Sequence, residues 1–490
     1  MLLSLSCCDN TAEEQTTFPE EDEAEVIPGG SLSVPFSEDD SLNPFFCETL
    51  HNSSLTSLTY RFLYTLDTSF TPVRDIALSE SASGQILKVT INPDLVFSDG
   101  SPLTAEDVKY SFDCAAASKR YAPALSGIDS CYAEDEKCVV FELEYPDVNV
   151  LSSLIFPIVK KGTAATSYDR PVGNGFYQFY EDGIRLSLKA NLRYSGTLPE
   201  IGTVRLTDIS SNTAPHNLVS TKELDFYYSD LSDADVSGVN CSSTGVYLNN
   251  LVFMGVNHYN VNLILASFRR ALSYAIDRQA LAESAFMGWA RAAAVPFNTS
   301  WSGYASSHFA SAASFTADGA KTAELLSAFG FGEGGHPLDL VLLCNEGNAF
   351  IRNAANEIAA ALKPYNVNIT VQLLSSGDLK KAVEAGLYDL YIAEIKLPAN
   401  MNLEEFFTYG GKAAYGIDFS YLSCDEAYFS YRSGEITIDD FLEAFSNDMP
   451  FIPLAYRNGR FLYTRDVISE LYCSEGFFYS NIDKLVVTGR

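Results

Sequence analysis

The chain has no uninterrupted apolar run of about 18 residues, so no stretch of it is expected to cross a bilayer as a helix. Its ten cysteines include no C-x-x-C pair, which argues against zinc ribbons and thioredoxin-type redox sites. The five histidines (His51, His216, His258, His308 and His336) are dispersed, with no H-E-x-x-H or H-x-H cluster for a metal. A G-x-S-x-G nucleophile turn and a phosphate-binding P-loop are also missing. Gly330, Gly332 and Gly335 match a dinucleotide-binding spacing. They follow a helical stretch and precede a strand, the reverse of what cradling a pyrophosphate requires. No metal, no cofactor and no catalytic function is therefore expected. Basic residues are scarce, 32 against 63 acidic ones, and the net charge of −31 repels phosphate backbones, so no nucleic-acid partner is expected.

What the chain does have is apolar and aromatic residues, 47% and 13% of its 490, ample for packed cores. That length exceeds a single core and predicts two or three lobes. No Lys or Arg precedes Arg61, so the amino terminus lacks the basic leader of a full secretion signal. Leu5-Ser6-Cys7-Cys8 does resemble the end of a bacterial lipoprotein signal, with Cys8, or alternatively Cys7, as the lipidated residue. Asp9 to Glu25 follows with eight acidic residues and no basic one, a self-repelling segment suited to tether an anchor to a folded body. Cys131 and Cys138 flank a polar hairpin loop, a spacing that allows a disulfide across it in an oxidising compartment.

From about Ser31, β-rich and helical runs alternate, which gives a mixed α/β class. Ser54 to Leu63 reads as a helical run. Residues 85 to 160 read as a strand, a helix from Thr104 and a hairpin. Phe268, Ala271, Leu272, Tyr274, Ala275 and Ile276 fall on one apolar helix face. Between 338 and 392 the order is strand, helix, strand, helix, strand, predicting an α/β second lobe. Val246 to Asn257 and Met449 to Tyr456 are long β stretches suited to crossing between lobes.

One string stands out: Phe97-Ser-Asp-Gly-Ser-Pro-Leu-Thr-Ala-Glu-Asp-Val108. Asp99-Gly100 makes a tight turn, and Thr104 with Asp107 approximates a capping box. The string closely resembles the signature of the family 5 extracellular solute-binding proteins, the oligopeptide- and dipeptide-binding receptors of ABC importers. Pro171-Val-Gly-Asn-Gly-Phe-Tyr177 is similar to that family's P-V-G-T-G-P-Y turn, and Leu218 to Asp225 to its L-x-x-G-E-I-D step. Phe268 to Arg278 is very close to its V-R-Q-A-L-x-Y-A-I-D-R helix. Ala323 to Gly330 and Tyr388-Asp389-Leu390 continue the series in the family's order.

The resemblance implies a two-lobe, periplasmic-binding-protein-like clamp of class II, type C, that encloses its ligand at the seam. Lobe one would take residues 31–250 and 451–490, with an extra sub-lobe at about 64–168. Lobe two would take 251–450, and residues 1–30 would be signal remnant and tether. The implied function is that of an extracytoplasmic, lipid-anchored, monomeric receptor that captures peptides and delivers them to an ABC permease and ATPase. The alternatives are the same clamp with a nickel chelate or oligosaccharide, and a non-transport receptor or interaction module.

Residues carried over from relatives are Glu48, Thr49 and Leu50, a strand-like run that pairs with ligand backbone, and the polar Asn345. Arg352 lies roughly where some relatives hold a ligand carboxylate. One position departs from the family. After Tyr388-Asp389-Leu390 relatives carry an Asp that anchors the peptide amine, whereas here Pro398 or Ala399 occupies it. Either Glu394 substitutes from a shifted position, or the ligand lacks that amine.

Overall fold

The computed structural model describes residues 29–183, 185–236, 238–305, 307–310, 316–465, 467, 473–479 and 481–485. Cys7, Cys8 and the acidic tether lie outside them. Among the described residues no helix is long and apolar enough to cross a membrane.

Three large cores and one small cluster around Ile209, Val219, Leu224 and Leu462 organise the described residues. The first lobe is built on a four-stranded sheet in which Gly29–Phe36 runs parallel to Ile201–Asp208, followed by Leu186–Ala190 and Tyr177–Glu181 antiparallel. Leu32, Val34, Leu188 and Val204, all fully buried, form its inner face at strand periodicity. A second four-stranded sheet orders Ala77–Ser83, Ile86–Ile91, Cys138–Leu143 and Ile128–Ala133, with the helix Ala105–Ala116 against it. This is the compact sub-lobe. The third sheet has seven strands, with Leu338–Asn345 and Val367–Leu374 parallel and joined by the helix Ala349–Leu362. The strand–helix–strand order read from the sequence holds there: Leu338–Asn345 is mainly apolar, and Val367–Leu374 alternates apolar and polar residues at strand period.

Two long strands tie the first core to the third. Ser242–Val256 and Phe451–Tyr463 pair antiparallel through most of their length. Val246 and Leu248 belong to the first core, Leu251 to Val256 to the other. On the return strand Phe451 to Tyr456 still pack in the second lobe's core, and Phe461 packs in the first. The change of core on the return strand thus falls between Tyr456 and Phe461. Between the two halves the ladder slips: Tyr247 faces Asn458 and Leu251 faces Tyr456, so Leu248, Asn249 and Asn250 bulge opposite Arg457 alone. A bulge bends and twists a ladder locally, and here it sits where one lobe gives way to the other.

The two most specific sequence signatures are structural supports for each other. Asp99-Gly100 turns with Gly100 at φ +87°, and the Ser98 amide donates to the Gly173 carbonyl at 2.9 Å. The Asp107 carboxylate accepts from both the amide and hydroxyl of Thr104, at 2.9 and 2.7 Å, as the capping spacing predicts. Gly173 and Gly175 lie against the backbone of Leu58 to Tyr60; a Cβ on Gly175 would sit 2.5 Å from the Thr59 carbonyl carbon. Glycine is required at these positions by close approach. The turn thereby fixes the segment that leads from residue 47 to residue 60.

Several local expectations change. The helical run expected over Ser54 to Leu63 is two short helices, Leu50–Ser54 and Thr56–Thr59, followed by the strands Arg61–Phe62 and Tyr64–Leu66. The helix over Phe268 ends at Ala275, and a new one starts at Arg278, capped by the Asp277 carboxylate. Arg269 on the first helix and Arg278 at the start of the second are both buried, each 2% exposed. Arg269 donates to the carbonyls of Leu263, Ile264, Asp448 and Met449, and Arg278 to those of Ser273 and Pro453. Cys131 and Cys138 do not form a disulfide: both are free thiols. The hairpin register sets Cys131 opposite Phe141 and Glu134 next to Cys138, which separates the two cysteines by about 10 Å along the ladder.

Candidate functional site

A cavity of about 550 Å³ lies where all three bodies meet. The segment Cys47 to Thr56 contributes one wall, the sub-lobe contributes the run Lys119 to Ala124, and the second lobe contributes Lys396 to Ala399 together with Phe62, Leu66 and Phe70, which pack in its core. Glu475 to Phe478 closes the remaining side, where Phe477 meets Phe62 edge to face at 4.9 Å. Its size is that of a small-molecule site, for which about 300–1,000 Å³ is usual.

The jaws around it are shut. On the sub-lobe, Asp147 accepts from the Arg432 guanidinium, and the Val148 amide donates to the Arg432 carbonyl at 3.0 Å. Asn400 donates to the Ser153 hydroxyl at 2.8 Å, and Tyr145 donates to the Glu404 carboxylate. Arg432 is 1% exposed, so this contact is dry. On the other flank Thr71 and Ser302 hydroxyls meet at 2.8 Å.

Five charged side chains line the cavity, and four of them pair off. Lys119 meets Glu48 at 2.6 Å, an exposed pair at the rim. Lys396 meets Glu475 at 2.5 Å, while the other Glu475 oxygen accepts from the Asn249 amide in the crossing bulge at 2.7 Å. Arg120 has no carboxylate partner among the described residues. Burial pushes the Cys47 thiol up to about 11 and the Tyr121 hydroxyl up to about 12, each partly offset by the neighbouring Arg120 charge.

Of the residues singled out in the sequence, Glu48 and Leu50 line the cavity. Thr49 does not. It caps the helix Leu50–Ser54, and the amides of Glu48 and Thr49 both donate to the Asp40 carboxylate, at 3.1 and 2.8 Å. Those donors are consumed inside the fold, so the run is not the free strand edge expected for pairing with a ligand backbone. Asn345 donates to the Ser376 hydroxyl and Arg352 to the Glu346 carbonyl, and neither is among the lining residues.

Glu394 is also absent from the lining. Both its oxygens bind the buried Arg457, at 2.5 and 2.6 Å, and one also accepts from Asn250 at 2.6 Å. It is a structural tie across the crossing strands, not a substitute for the missing amine anchor. Pro398 and Ala399 do face the cavity, so the departure from the family pattern falls within the site itself.

Arg120, Tyr121, Lys396 and Phe477 were not legible as site residues. The adjacent bases Lys119-Arg120, in a chain with about twice as many acids as bases, are the one signal the sequence offered.

No group of three metal-ligating side chains comes together among the described residues. His258 is buried, and His51 is half-buried beside the Tyr227 ring. His258 Nε2 donates to the Pro450 carbonyl at 2.9 Å while Nδ1 accepts from the Asp418 amide at 3.2 Å, which fixes a neutral ring. Burial, and then the Arg269 charge, press its pKa down to about 4, and burial does the same to His51 beside Tyr227. In the unfolded chain both titrate near 6.5. Their contribution to stability is complete above that value and is lost as pH falls from about 6.5 to about 4. Urea midpoints measured across this window are expected to fall with acid, and to fall less in His258→Gln, whose amide can still donate to Pro450. An equal acid slope in that variant would contradict the assignment for His258.

A jawed two-lobe body with two crossing strands and a closed seam cavity defines a solute-binding clamp. Residues 71–412 match the bacterial extracellular solute-binding proteins, family 5 (middle region), and the chain belongs to that family. It is 24% identical over 295 residues to the nickel-binding protein NikA of Staphylococcus aureus, covering 58% of each chain. It is 26% identical over 214 residues to an ABC transporter peptide-binding protein of Brucella ovis, covering 40% of this chain and 41% of that one. These alignments span less than two thirds of either relative. The fold is shared with the ABC transporter substrate-binding protein CtaP of Listeria monocytogenes, at TM-score 0.72 and 18% identity, over 94% of this chain and all of that one.

Proposed function

We propose that this chain is the extracytoplasmic solute-binding component of an ABC importer, that it captures a short peptide between its lobes, and that it hands the peptide to a permease driven by an ATPase. The observation that carries this reading is the cavity itself, walled by both lobes and the sub-lobe and shut by the Asp147–Arg432 contact. Hinge closure is a common device for trapping small ligands, and the bulge opposite Arg457 is the natural place for it. Lobe one would comprise about 31–250 with the C-terminal segment, and the protein would work as a monomer held to the membrane by lipid on Cys8 or Cys7. Nothing covalent is needed: the work is binding and closure.

A nickel chelate is the second reading, favoured by the relative named for nickel and by the loss of the amine-anchoring Asp. Such a chelate would bring its own donor atoms, since no ligand triad is assembled among the described residues. A thermal-unfolding panel separates the readings. Pooled apolar di- and tripeptides are expected to raise the midpoint in a dose-dependent way. A rise with nickel–histidine, or with an oligosaccharide, and none with peptides would overturn the peptide reading.

A further inference from the structure

The charge arrangement of the cavity points to the chemical form of its ligand. Three cations and two carboxylates line it, and the pairs Lys119–Glu48 and Lys396–Glu475 leave Arg120 over. This surplus is the reverse of the chain's overall charge of −31. The Arg120 side chain is half-buried, on a sub-lobe wall shared with Lys119, Tyr121, Pro123 and Ala124; it meets the Tyr121 hydroxyl, and its charge is felt by Cys47, Tyr121 and Tyr228. A guanidinium in a largely apolar seam attracts an anion strongly, and its planar fork suits a carboxylate. No carboxylate stands free inside the seam for an ammonium: Glu475 is engaged by Lys396 and the Asn249 amide, Glu48 lies at the exposed rim with Lys119, Glu394 is held by Arg457, and Pro398 and Ala399 occupy the facing wall. Enclosing a charged amine there would cost several kcal/mol.

We propose that the preferred ligand is a short, apolar or aromatic peptide acid whose amino terminus is blocked, with its carboxylate held by Arg120. The proposal rests on the peptide reading above and specifies it. The rings of Phe62, Phe70, Phe477 and Phe478 supply apolar surface for the side chains, and the volume of about 550 Å³ suits two or three residues. The acyl cap removes the ammonium for which the site has no partner.

The test is calorimetric titration of the full chain with pooled apolar dipeptides in four forms: free at both ends, N-acetylated, C-amidated, and capped at both ends. The N-acetyl acids are expected to bind at least about tenfold tighter than the uncapped and the doubly capped forms. In Arg120→Gln the acid-over-amide preference should vanish, and in Arg120→Lys it should be partly retained, with thermal unfolding confirming that both variants fold. Tighter binding of free-amine peptides, or an unchanged acid preference in Arg120→Gln, would overturn the proposal while leaving the peptide reading intact. No binding by any of the four forms would overturn both.

Discussion

Glu394→Ala is expected to destabilise the protein by about 3–5 kcal/mol, the cost of leaving a buried charge without its partner. Arg457 is 1% exposed and receives both Glu394 oxygens; its remaining contact is to the Asp230 carbonyl. Removing the carboxylate leaves the guanidinium dry and uncompensated at the junction of the crossing strands. Replacing both members, as Glu394→Leu with Arg457→Met, should recover most of the loss, because an apolar pair of similar volume carries no desolvation penalty. Urea unfolding of the two single variants and the double variant checks this. A loss under about 1 kcal/mol in Glu394→Ala would mean that water reaches Arg457.

Asp147→Ala removes a partner of another buried guanidinium, yet the expected outcome differs. Asp147 lies on the sub-lobe and Arg432 on the second lobe, with side chains 11% and 1% exposed. Opening the cleft separates the two bodies and returns the Arg432 side chain to water without unfolding either core. The cost should therefore appear in the balance between open and closed forms. A penalty of about 3 kcal/mol in the closed form alone shifts that balance by more than a hundredfold and weakens ligand binding by a similar factor once the open form dominates. The expected readout is a larger radius of gyration in small-angle scattering and ligand affinity lower by about a hundredfold, with a nearly unchanged unfolding midpoint. A drop in the midpoint without any change in radius would place the contact within a rigid body and not at a moving seam.

How much of this was legible in the sequence follows from the range of the interactions involved. The capping of Thr104 by Asp107 and the turn at Gly100 are local and can be read from a dozen residues. The alternation of strands and helices from Leu338 to Lys396 was legible because each strand is rich in apolar and β-branched residues, and Val367–Leu374 alternates them with polar ones at period two. Thr49 was misread because the competing partner, Asp40, is a loop carboxylate whose reach nothing in the run Glu48-Thr49-Leu50 announces. Glu394 was misjudged for a related reason: its partner Arg457 lies far along the chain, on another strand of the same seven-stranded sheet. Arg120 was missed because a cation's importance depends on which carboxylates are already spent, and pairing is a property of the folded molecule. The disulfide failed on register, since a hairpin's spacing does not say which residues face each other.

The most direct test of ligand capture is native mass spectrometry of the chain purified from its own cells, followed by denaturation and identification of whatever is released. The expected result is a fraction of the protein carrying one small molecule, released as a peptide of two or three residues. An empty protein that also takes up no member of a capped and uncapped peptide library would contradict capture of a peptide at the seam.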